Sequence, residues 1–182
     1  RYSFFPKIVT AENIKIPREV VCKDGLIIVP WGKTDDFLKI NDPNSLVLGH
    51  FEINGFIASS NYIFTNSKFN VETFRNYRKI LSGHFHIPSS KGNITYLGAP
   101  FQMNFGDTNG IRGYHILNED QSLEFIEFTD APKFVIITTR RLPAPELITN
   151  NIVKVIFLRD YGTNKNNKLL EYIQRFRPLQ VI

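Results

Sequence analysis

Two segments of this chain end the same way. Leu46-Val47-Leu48-Gly49-His50 and Lys79-Ile80-Leu81-Ser82-Gly83-His84 each read as a short buried strand that stops at Gly-His. The second adds a histidine two residues on, giving Gly83-His84-Phe85-His86. Short apolar runs bounded by turn residues mark strands buried in a sheet. Three of the four histidines therefore stand just past strand ends, beside glycines. In an α/β protein that is where sites are built, because ligands bind outside the carboxyl ends of the strands. Imidazole is also the commonest metal ligand among side chains. The pattern makes His50, His84 and His86 candidate metal ligands.

The spacing adds detail. In an extended segment, positions i and i+2 face the same side. His84 and His86 are then expected to converge while Phe85 points back into the core. His50 can meet them if its strand lies next to theirs. Gly83 lets the backbone turn or approach a ligand closely. A lone His-x-His is more often a pair of ordinary loop residues. The doubled strand-Gly-His ending is what favours metal here.

The rest of the chain supports an α/β (α+β) fold. Residues 19–22 and 25–30 read as strands joined at Lys23-Asp24-Gly25. Short helices are expected within 35–40 and 70–77, the latter with Asn70 as N-cap and Glu72 near the positive end. Residues 94–98 form a strand, and 113–117 and 122–128 form a hairpin. Composition shifts at Asp130-Ala131-Pro132. Beyond it come strands over 134–139 and 151–158, and a helix over 165–176 with Leu169, Leu170, Ile173 and Phe176 on one face. A strand begins at 179–182, so the last part has a βαβ pattern.

Composition bounds the partners loosely. A formal charge of +5 at pH 7 suits a polyanion but does not by itself identify one. The single Cys22 excludes an internal disulfide and any Cys-based zinc site, and fits a reducing compartment. Cys22 itself reads as a small buried hydrophobe. No apolar run approaches the ~18 residues of a membrane span, so no membrane association is expected. The chain opens Arg1-Tyr2-Ser3 and stops among apolar residues, which reads as a piece of something longer.

Downstream lies Tyr96-Leu97-Gly98-Ala99-Pro100-Phe101-Gln102-Met103-Asn104-Phe105-Gly106-Asp107. Together with Gly49-His50 and Gly83-His84-Phe85-His86 it resembles the calcineurin-like metallophosphoesterases. More narrowly the chain resembles the SbcD family of DNA double-strand-break repair nucleases, and Leu48-Gly49-His50-Phe51-Glu52-Ile53-Asn54-Gly55-Phe56 resembles their phage recombination-endonuclease members. The resemblance implies a hydrolase with two divalent metals, Mn²⁺ or alternatively Mg²⁺, acting on DNA as an exonuclease or endonuclease. By motif match, His50 and His84 bind one metal and His86 the other. The family's other ligands come from Asp-x-His, Gly-Asp-x-x-Asp and Gly-Asn-His-Asp motifs, and none occurs in this chain. The resemblance thus implies the back half of a two-sheet metallophosphoesterase sandwich over residues 1–131, then a partial βαβ capping domain over 132–182. Alone, such a piece is expected to be inactive. A homodimer, an SbcC-like ATPase partner and a cytoplasmic location (the host's, for a phage protein) are also implied.

Other residues read more plainly. Arg75, Arg78 and Lys79, and Arg140 and Arg141, are weak candidates for DNA phosphate contacts; charge runs are usually solvated faces. Arg159, Lys165, Lys168, Arg175 and Arg177 suit a DNA-facing capping domain equally loosely. His115 reads as structural, Trp31 as core rather than a base-stacking platform, and Asn54-Gly55 as a turn. Asn104 and Asp107 are expected to shape a rim. Two competing readings are a different metallophosphoesterase, such as a protein phosphatase or cyclic-nucleotide phosphodiesterase, and a non-catalytic scaffold that kept the fold. A capping unit argues against the first, and three matching histidines argue against the second.

Overall fold

Asp24 and Gly25 both take left-handed backbone, at φ +50° and +75°, and close the first hairpin of the protein. That conformation at both central positions is what a two-residue hairpin loop needs, and Asp-Gly supplies it cheaply. Strand β1 (Val21–Lys23) pairs antiparallel with β2 (Leu26–Val29), with Lys23 opposite Leu26. These elements belong to a computed structural model that describes residues 17–59, 62–108, 110–138, 142–157 and 163–182. Within it the chain forms two compact units, Arg1–Gly98 and Ala99–Ile182.

The first unit is built on a six-stranded sheet. After the short helix α1 (Thr34–Phe37) come β3 (Leu46–His50), β4 (Ile57–Ser59), β5 (Tyr62–Ile63), β6 (Lys79–Gly83), β7 (Ser89–Lys91) and β8 (Ile94–Tyr96). The sheet order is β1-β2-β3-β6-β8-β7, and β4 pairs with β5 separately. Strands β2, β3, β6 and β8 run parallel, flanked by one antiparallel strand at each edge. The register aligns Ile27, Val47, Ile80 and Ile94 in one row across the four parallel strands. All four are fully buried, against Phe37, Phe51, Phe74 and Tyr77. On β2 the buried residues alternate with half-buried ones, so the row through Ile27 marks the better covered face.

Edge position decides the fate of Cys22. All three residues of β1 are exposed, and Cys22 with them, against the expectation of a buried thiol. Among the described residues β1 is the outermost strand of the sheet and pairs only with β2. The segment after Asn70 behaves as expected but with a tighter turn. Asn70 caps a 3₁₀ helix, Val71–Phe74, accepting from the Thr73 amide, and Thr73 reciprocates in a capping box.

The second unit holds the hairpin β9 (Gly113–Leu117) and β10 (Leu123–Glu127). It also holds a three-stranded parallel sheet of β11 (Phe134–Thr138), β12 (Ile152–Ile156) and β13 (Gln180–Val181). Helix α2 (Thr163–Arg175) links β12 to β13, the expected βαβ arrangement. Ile173 of the helix is fully buried with Ile137, Ile148 and Val153, and Leu169, Tyr172 and Phe176 pack around them. The fold is thus mixed α/β with several sheets and few helices. No described helix is long and apolar enough to cross a membrane.

Candidate metal centre at the carboxyl edge of the parallel strands

Strands β3 and β6 are direct neighbours, with His50 opposite Gly83. The two Gly-His endings therefore emerge side by side. Each glycine leaves room for a ring. A Cβ on Gly49 would overlap the Phe51 ring, and one on Gly83 would lie 2.9 Å from His50 Nδ1. Buried Ser82 ties the two exits together. The Phe51 amide donates to Ser82 Oγ at 3.0 Å, and that hydroxyl donates to the Gly83 carbonyl at 2.8 Å. Tyr96 of β8 holds the next residues. Its hydroxyl accepts from the Ile53 amide at 3.1 Å and donates to the Phe51 carbonyl at 3.0 Å.

This scaffold brings His84 Nδ1 to 3.3 Å from His50 Nε2. His84 reaches that position in a left-handed backbone conformation, φ +97°. A non-glycine residue rarely adopts it, at a cost of about 1–3 kcal/mol, and such strain collects at functional sites. The left-handed turn also corrects the sequence reading of the Gly-His-x-His segment. Residues 84–88 are not an extended strand, so the i, i+2 argument does not govern His84 and His86. Phe85 is buried, as that argument expected.

Aromatic rings fix the His84 imidazole. Trp31 stacks on it at 5.5 Å with 13° between planes, and Phe85 and Phe64 meet it at 4.8 and 6.3 Å. Trp31 also meets His50 edge-on, at 4.8 Å and 83°. Trp31 is 44 % exposed, so it is not the core residue its sequence context suggested. Glu52 Oε1 lies 3.6 Å from His84 Nε2, on the side of the ring away from His50. Glu52 and Phe64 are the site residues that sequence reasoning passed over, and Trp31 is one that it assigned to the core. Glu52 follows His50 by two residues, which was the available signal for it.

Desolvation holds His84 below the ordinary histidine range; Glu52 opposes the shift and His86 adds to it. His50 is lowered by the same desolvation first, then by the His84 and His86 charges, against Glu52. His86 is therefore close enough for its charge to bear on both rings. The neutral imidazole is the form that binds metal.

The two nitrogens hydrogen-bond to each other, with the donor set by the tautomers, and their spacing is also one that two ligands of a single ion take. Ligand nitrogens ~2.1 Å from one ion lie roughly 3.0–3.4 Å apart when cis or tetrahedral. The 3.3 Å separation matches that spacing. Among the described residues, no three or more His, Cys, Asp or Glu side chains form a group ready to hold an ion. The assembled part of the site is the His50–His84 pair, with Glu52 beside it.

The basic candidates lie elsewhere. Arg75 and Arg78 are exposed, and Arg75 faces Glu72 at 3.6 Å. Both precede Lys79 at the amino end of β6, the opposite end of that strand from His84. Arg140, Arg141 and Arg159 lie outside the described residues. Asn54 bonds the Ser67 backbone in both directions, and Gly55 turns at φ +89°. In the second unit, Asn104 caps the 3₁₀ turn Phe105–Asp107, accepting from the Gly106 amide at 2.7 Å. Asp107 is buried, accepting from the Met103 amide at 2.9 Å and facing Arg112 at 3.6 Å. His115 lies opposite Phe125 in the hairpin, with ring centres 5.0 Å apart.

No protein-family model matches the chain. Two curated proteins are similar to it. Exonuclease subunit 1 of Enterobacteria phage T4 is 31% identical over 115 residues, covering 57% of this chain and 32% of that protein. The SbcD component of the nuclease SbcCD of Staphylococcus epidermidis is 27% identical over 133 residues, covering 70% of this chain and 34% of that protein. The chain thus spans about a third of the length of the curated relatives it matches. Both relatives are named as nuclease subunits, in agreement with the resemblance to SbcD-like nucleases drawn from the sequence.

Proposed function

We propose that this chain is part of a metal-dependent DNA nuclease subunit acting in recombination and double-strand-break repair. The observation that carries the reading is the His50–His84 pair, 3.3 Å apart and held there by a strained φ of +97°. The names of the two relatives support it. In this reading His50 and His84 hold one divalent ion, Mn²⁺ or Mg²⁺, and His86 a second. Such ions supply positive charge to a phosphodiester and lower the pKa of a bound water. The chain's own residues prepare that chemistry. Lowered pKa values keep both imidazoles neutral and able to donate lone pairs. Glu52 faces Nε2 of His84, so it favours the proton there and makes Nδ1 the acceptor of the hydrogen bond with His50 Nε2, the lone pair that a bound ion would take instead. Trp31, Phe64 and Phe85 stop the ring from turning.

The parent protein would work as a homodimer with an SbcC-like ATPase, in the cytoplasm. Residues 1–131 would belong to its nuclease domain and 132–182 to the start of its capping domain. The test is Mn²⁺-dependent cleavage of linear double-stranded DNA by the intact protein, with and without His84→Ala. Cleavage that needs both manganese and His84 is expected. Cleavage unaffected by His84→Ala would remove the metal assignment. Hydrolysis of small phosphoesters alone would replace the nuclease with a generic phosphoesterase.

A further inference from the structure

Three neighbouring parallel strands deliver a ring to the same edge of the sheet. Trp31 follows β2, His50 ends β3 and His84 follows β6. The indole is fixed in two directions, parallel to His84 at 13° and edge-on to His50 at 83°. A turn closes around it, with Gly32 at φ +81° and the Lys33 amide donating to the Pro30 carbonyl at 3.1 Å. Core aromatic residues of the same unit, Phe37, Phe51 and Phe74, are at most 1% exposed. Trp31 packs against two rings yet keeps 44 % of its surface open.

Scattered exposed aromatics are ordinary and call for no function. This one is different in its place, since its neighbours are the two candidate ligands. It is also already immobilised, so a flat partner that stacks on it costs little further side-chain entropy. An exposed indole beside a phosphate-handling centre suits the base attached to that phosphate. Every base offers a π face, so such stacking tolerates any sequence.

We propose that Trp31 is a stacking platform for the nucleobase next to the phosphate handled at His50 and His84. Trp31 would then set where a strand lies at the site. The inference rests on the nuclease reading and names how that site grips its substrate.

Trp31 is the only tryptophan of the chain, so its fluorescence reports on this one place. Single-stranded oligothymidylate added to the chain should quench the emission. A strand of equal length made of abasic units should not. Equal quenching by both strands, or none by either, would overturn the proposal. Kinetics of the intact protein give a second readout. Trp31→Ala should lower kcat/KM on a base-bearing single strand roughly 5- to 150-fold, chiefly through KM. The loss should nearly vanish when the terminal nucleotides are abasic, and Trp31→Phe should restore most of the activity. An equal loss on both strands would mean that Trp31 acts only through the histidine rings. If the wild-type protein also leaves linear double-stranded DNA uncut in the presence of Mn²⁺, the nuclease reading fails, while the fluorescence comparison still decides whether a base stacks on Trp31.

Discussion

A side chain on Gly83 would occupy the space taken by the His50 ring, its Cβ only 2.9 Å from Nδ1. The glycine of one strand ending is thus required by the histidine of the other. Gly83 does not adopt positive φ, so its backbone accepts alanine. Gly83→Ala is expected to displace the His50 imidazole with little loss of stability, within about 1–2 kcal/mol. In the intact protein, metal-dependent cleavage should fall steeply. A melting curve paired with an Mn²⁺ titration checks both parts. Unchanged metal affinity would break the link between the two residues.

The strain at His84 makes a second prediction. At φ +97° glycine is at ease and alanine is not. His84→Gly and His84→Ala both remove the imidazole and its ring contacts. The glycine variant should nevertheless be the more stable of the two by about 1–2 kcal/mol. Both should be inactive in the intact protein. Denaturant melts of the two variants side by side make the comparison, and equal midpoints would mean that the residue is unstrained.

Tyr96 is buried and bridges two backbone groups of residues 51–53. Its burial pushes the phenol pKa well above the ordinary value, so the hydroxyl stays protonated and donates. Tyr96→Phe leaves the Ile53 amide and the Phe51 carbonyl without this partner. The expected cost is about 1–3 kcal/mol, with loosening of the segment that carries Glu52. Hydrogen exchange at Ile53 should speed up by more than at other sheet amides. Protection equal to wild type would show that the bridge contributes nothing.

Stability should depend on pH through the histidines. His50, His84 and His115 all titrate below the ordinary histidine value in the folded chain, desolvation being the first cause in each. Between those lowered values and about 6.5, the unfolded chain therefore binds more protons than the folded one. Stability rises with pH through that window. It is complete above about 6.5 and is lost as pH falls through the folded values. Urea midpoints measured from about pH 7.5 down to about pH 5 should decline, and less so in His84→Gly.

Much of this molecule was determined by its sequence alone. The parallel strands stand out by short apolar runs, as in Leu46–Leu48 and Ile80–Leu81. Asp24-Gly25 announces its hairpin because few other pairs accept left-handed backbone twice. The amphipathic spacing of Leu169, Ile173 and Phe176 reveals α2. The Gly-His endings mark the two strand ends from which His50 and His84 emerge. Tertiary structure decided the rest, because it depends on which strands become neighbours. Placing β3 beside β6 turned two separate endings into one pair of nitrogens. Leaving β1 at the sheet edge exposed Cys22, although two valines precede it. The left-handed turn at His84 is invisible in the sequence, since nothing local favours it. The packing of Trp31, Phe64 and Phe85 around the imidazole over-determines that conformation, and only the assembled sheet brings those rings together.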